Sequence, residues 1–208
     1  MRARWLIIAV IVSYFIMLIG GGALKPGYSH VGQFISELNA TGTPNAQLIG
    51  WLGFMPFGVL SALLIISLSG IAPVAGASRV GYWLLLMEPV AYIGSAFAPC
   101  DIGCPVEGSA SQMIHNSLAA VTYIFTAVGL VLLASSAKLP GHVRVLLVGL
   151  AVVWLTLFTI MLDSSLEPWR GLLQRLAEWI VYGALLILAW KLSADDSKLN
   201  DEAAMKAL

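Results

Sequence analysis

The residues able to do chemistry in this chain gather in a few places. Two histidines, His30 and His115, two carboxylates, Glu37 and Asp101, and the hydroxyl of Ser36 fall in or beside two polar stretches. Imidazoles and carboxylates move protons near neutral pH and also ligate divalent metals. A cluster of this kind suits acid/base or metal-assisted hydrolysis, so His115, Asp101, His30, Ser36 and Glu37 form the candidate catalytic set. Asn116, Asp163, Gln174, Arg175, Glu178 and Glu88 are the candidates for holding a substrate. Both cysteines, Cys100 and Cys104, sit four apart between Pro99 and Pro105. Three explanations stand open: a structural disulfide, a zinc site completed by His30 and His115, and a redox pair. Against zinc, no His-x-x-x-His pair is present. Against redox, the quinone-linked thiol oxidases use Cys-x-x-Cys and a second cysteine pair.

The elements that must position these residues are set by composition. Of 208 residues, 59% are apolar and 11% charged, where a soluble domain carries about 25% charge. Mean hydropathy is +0.89. One buried core cannot absorb that much apolar surface, so a free-standing soluble enzyme, a disordered chain and a disulfide-rich secreted module are excluded. The 11 basic and 11 acidic residues cancel, which removes the electrostatic footprint of a nucleic-acid binder. A membrane-spanning helix needs about 20 mostly apolar residues. Six stretches qualify, at 5–22, 46–68, 80–98, 113–135, 145–162 and 172–190. The expected fold is an all-α six-helix transmembrane bundle over 1–191, followed by a polar, solvated tail over 192–208. The basic start Arg2-Ala3-Arg4 resembles a signal peptide, but the apolar run is long enough to be retained as a span.

Basic residues in short loops orient the bundle. With the N-terminus inside, Arg2, Arg4, Arg79, Lys138, Arg144, Lys191, Lys198 and Lys206 face the cytoplasm, against Lys25, Arg170 and Arg175 outside. Both termini are therefore expected in the cytoplasm, and the acids and two histidines collect at the outer mouth. Between the first two spans, Val31, Phe34, Ile35 and Leu38 recur at helical spacing and predict a short amphipathic helix presenting Gln33, Ser36 and Glu37. Thr43-Pro44 reads as an N-cap and first position of the second span.

The later spans carry polar stripes. Thr122 and Thr126 share a face with His115, Thr156, Thr159 and Asp163 form another, and Gln174, Glu178 and Tyr182 a third, with Arg175 in reach of Glu178. Such stripes line a cavity or serve as packing glue. Glu88 is the deepest acid. A charge at the bilayer centre costs at least about 2.5–3.5 kcal/mol, so it faces the bundle interior or is protonated.

Three pieces carry a resemblance: His30 with Ile35-Ser36-Glu37-Leu38 and Thr41-Gly42-x-Pro44, Cys100-Asp101-x-Gly103-Cys104-Pro105, and Ile114-His115-Asn116. Together with Gly171-x-x-Gln174-Arg175 they are similar to the bacterial multi-pass family termed domain of unknown function nine-nine-eight. That likeness implies a bacterial inner (plasma) membrane protein and no particular activity. A more distant similarity, through Ile35-Ser36-Glu37, Gly42-Thr43-Pro44 and His115-Asn116, reaches the eukaryotic DRAM and GPI-anchor lipid-remodelling group. It implies lipid handling at the non-cytoplasmic leaflet, with membrane lipids as partners. The set also resembles the transmembrane ceramidase-like hydrolases, one histidine short. The function expected is binding or remodelling of a lipid or other amphiphile, with zinc as one conceivable cofactor. A proton-linked transporter using Glu88 and a non-catalytic scaffold are the competing readings.

Overall fold

The computed structural model describes the backbone of residues 2–206 and the side chains of residues 3–196. Hydrocarbon offers backbone N–H and C=O groups no partner, so apolar runs of this length must satisfy them internally as helices. Six spans result: α1 (Ala3–Leu24), α2 (Ala46–Leu68), α3 (Ala77–Phe97), α4 (Ala110–Ala134), α5 (Gly141–Met161) and α6 (Ser164–Asp196). They agree with the apolar stretches to within a few residues, except that α6 starts eight residues earlier. Span α6 opens with a 3-10 helix, Ser164–Trp169, and its α-helix runs from Arg170 to Lys206, so the tail continues it; Ala207 and Leu208 lie outside the described residues.

Each span packs on its successor, and α6 returns to α1, closing a ring. Small residues set the tightest crossings, as expected where packing rather than water drives association. A Cβ on Gly81 would lie 2.5 Å from Gly129 O, so α3 and α4 touch backbone to backbone. The ring is irregular where it meets the polar residues. Both α1 and α2 contain a π-helical turn, Ile16–Gly20 and Gly50–Phe54. Span α3 is broken into Ala77–Leu84 and Met87–Phe97. The break puts Glu88 in the first turn of the second segment, where the helix dipole favours a negative charge and Pro89 removes no needed hydrogen bond.

The long loops lie at one end of the bundle. The short helix between α1 and α2 is a 3-10 helix, Ile35–Asn39. It does not present its polar side to an interface: Ile35 and Leu38 are buried, and so is Glu37, at 2% exposure. The segment is docked into the bundle, not laid on top of it. Thr43 is not the cap of α2 either. The helix begins at Ala46, preceded by Asn45 in a left-handed conformation with φ 58°, whose amide donates to Leu24 O at 2.7 Å.

Candidate functional site

The polar residues singled out from the sequence fall into three separate groups. The first clamps the 28–37 segment onto α6. Glu37 Oε1 accepts from Phe34 N and from Arg170 Nη2, each at 3.0 Å, and Oε2 accepts from Gln33 Nε2 at 2.9 Å. Lys25 Nζ donates to the Glu37 carbonyl. Arg175 Nη1 donates to Gln33 O and Gly171 O, and Nη2 to Tyr28 Oη and His30 Nδ1. Its guanidinium therefore points into the first loop, and among the described residues Arg175 makes no ion pair with Glu178. Burial, with Arg175 alongside, holds the His30 imidazole below its usual range. Burial also pushes the Tyr28 phenol up to about 12 and the Lys25 ammonium down. In this clamp His30 and Glu37 act as acceptors for buried donors.

The second group closes the 98–109 loop. Cys100 and Cys104 form a disulfide with an S–S distance of 2.00 Å. Asp101 Oδ2 accepts from Ser109 N and Oδ1 from Ser109 Oγ, both at 2.8 Å, while Ser109 caps α4 by accepting from Gln112 N. Gln112 and Asn116 carry their amides to the carbonyls of Pro105 and Val106. The two Ser109 donors hold the Asp101 carboxyl below the usual aspartate range. A depressed folded pKa contributes stability above the ordinary value near 3.8, and that contribution disappears as pH falls through the folded value. Proteolysis within 98–109 is therefore expected to accelerate below the ordinary carboxylate range. Asp101→Asn should show the faster rate already at neutral pH, with a flatter acid dependence.

The third group lines a cavity of about 430 Å³ running from the loops into the bundle. Ser36 and Cys104 line it from the loops, and His115 and Asn116 on α4, Gln174 and Glu178 on α6 and Glu88 on α3 line it from the membrane-spanning helices. Most of the wall is apolar or aromatic, including Phe54, Tyr123 and Phe158. His115 Nδ1 lies 3.1 Å from Ala98 O; a carbonyl only accepts, so Nδ1 carries the proton and Nε2 of the neutral ring keeps its lone pair. Glu178 Oε2 accepts from Tyr14 Oη at 2.9 Å and Tyr92 Oη at 2.8 Å. Gln174 Oε1 takes Ile35 N at 2.7 Å, tying the short 3-10 helix to the cavity wall. Glu88 Oε2 is buried and has no hydrogen-bond partner among the described residues.

The α5 stripe does not join this cavity. Thr156, Thr159 and Asp163 are exposed, and Asp163 accepts from Ser165 N at 2.9 Å, which holds its carboxyl low. Span α5 offers Phe158 and Met161 instead. Sequence reasoning missed Tyr14 and Tyr92. Their signal was a phenol in an otherwise apolar span, since a buried tyrosine hydroxyl usually finds a partner.

For metal binding, Cys100, Cys104 and His115 can place donor atoms within 4.8 Å of one another. His30 is elsewhere, held by Arg175, so the four-ligand set considered from sequence is not assembled. The disulfide also removes the thiolates that zinc requires. No curated protein and no solved structure matches the chain. A family model, by contrast, matches residues 7–191, spanning the loop clamp, the disulfide loop and both cavity carboxylates. The chain therefore belongs to the membrane protein family of unknown function DUF998.

Proposed function

We propose that this protein binds an amphiphile in the cavity at the loop-rich end of its bundle, the end we infer to face outward from the charge bias of the loops, with both termini in the cytoplasm. The observation that carries the reading is the cavity itself. Its volume of about 430 Å³ is in the range of small-molecule sites, about 300–1,000 Å³, which are typically apolar with a few placed polar groups. Apolar walls suit a hydrocarbon or ring portion, and Glu88, Glu178 and His115 provide the polar contacts. Should the bound molecule also react, His115 is the group to accept a proton, because its bond to Ala98 O leaves Nε2 available in the same cavity.

Native mass spectrometry of protein extracted with its lipids tests this. An adduct is expected on the natural chain and should be lost from Ala119→Phe, which puts a ring into the cavity wall. Absence of any adduct, or an adduct undiminished in Ala119→Phe, overturns the reading. One observation favours a second reading, proton-linked transport: the break in α3 stands directly before Glu88. Substrate flux in proteoliposomes unaffected by Glu88→Gln would remove it.

A further inference from the structure

Donors and acceptors around the deep end of the cavity are not balanced. Glu88 is 9% exposed, lines the cavity and holds Oε2 without a partner among the described residues. An isolated buried carboxylate oxygen is expensive unless something donates to it. Several of the donors that line the cavity are committed elsewhere. Thr122 Oγ1 donates to Met87 O, the Tyr92 hydroxyl to Glu178, and the Asn116 amide to Pro105 O and Val106 O. His115 gives its Nδ1 proton to Ala98 O. Arg175, the buried cation nearest in sequence to Glu178, has both terminal nitrogens on the first loop and α6. Glu178 has its two tyrosine donors; Glu88 has none of these.

Resting on the amphiphile reading, we propose that the occupant is a lipophilic amine whose ammonium N–H donates to the Glu88 carboxylate where it lines the cavity, with its apolar body against the aromatic wall. The chemistry also excludes some occupants. A phospholipid phosphate would meet no lysine or arginine in the lining of the cavity, and it repels any ionised carboxylate there. A carboxylate-bearing lipid meets the same repulsion. A simple alcohol can donate to Glu88 but brings no charge to balance it, and charge-assisted hydrogen bonds are roughly twice as strong as neutral ones.

The test uses the full-length protein in phosphatidylcholine nanodiscs and three probes of equal chain length: octylamine, octanol and octanoate. Octylamine is expected to bind about tenfold more tightly than octanol, and octanoate not to bind. Glu88→Gln should abolish the preference for the amine over octanol. Equal binding of amine and alcohol, or a preference that survives in Glu88→Gln, overturns the assignment and leaves the amphiphile reading standing. Failure of all three probes to bind counts against both. If Glu88→Gln does not fold, the ranking of octylamine against octanol on the natural chain decides alone.

Discussion

Arg175→Ala is expected to cost at least about 1–3 kcal/mol, the penalty for leaving one buried acceptor without its donor, and more because four acceptors share this guanidinium. The side chain is 2% exposed and is the common donor to Gln33 O, Gly171 O, Tyr28 Oη and His30 Nδ1. Without it, Gln33 O loses its donor at a buried junction, and the 28–37 segment loses its attachment to α6. Glu178 loses a nearby positive charge as well. Arg175→Lys should recover little, because an ammonium on a flexible stem cannot reproduce a planar fork reaching four acceptors. The measurement is thermal unfolding in detergent, combined with proteolysis of the 25–45 loop. Unchanged melting and an uncut loop would show that the clamp contributes little.

Gly171→Ala should be nearly as damaging, by steric conflict and not by lost charge. A Cβ at this position would lie 2.1 Å from Gln33 O and 2.8 Å from Gln33 N. Both are backbone atoms, so no side chain can swing aside. The adjoining bond from Leu172 N to Val31 O, 2.8 Å long, must stretch or break for the loop to retreat. Overpacking typically costs about 1–3 kcal/mol, and here it also separates Gln174 from Ile35 N. Arg175 and Gly171 hold the same stretch of loop, so their effects should not add. The double variant is expected to melt close to the worse single variant; full additivity would mean the two residues hold independent parts of the structure.

Much of the architecture was legible because the membrane imposes it. Six apolar runs of the required length become helices whatever their neighbours do, and the family motifs lie at the loop-rich end of these spans. The roles of the polar residues were not legible in the same way. Glu37 and Asp101 carry the same functional group, yet one is enclosed by Phe34 N, Gln33 and Arg170 while the other latches an exposed turn to Ser109. Periodicity placed Thr156, Thr159 and Asp163 on one face correctly but could not say that this face turns away from the cavity. It likewise put Arg175 within reach of Glu178, without showing that the loop carbonyls would capture the guanidinium first.

What the sequence alone determined is the solvent, the number of crossings and the short list of polar groups that a membrane cannot leave unpartnered. These follow from local composition and length, because hydrocarbon penalises each unsatisfied group wherever it stands. What the tertiary structure decided is which of those groups find partners. Closing the ring of α1 to α6 brings Tyr14 and Tyr92 to Glu178 from spans 164 and 86 residues away. The same closure sets Glu88 in the wall of a largely apolar cavity and leaves its buried Oε2 with nothing among the described residues to accept from. Pairing between distant spans depends on helix rotation and on the docking of one loop, and neither is encoded in any single segment.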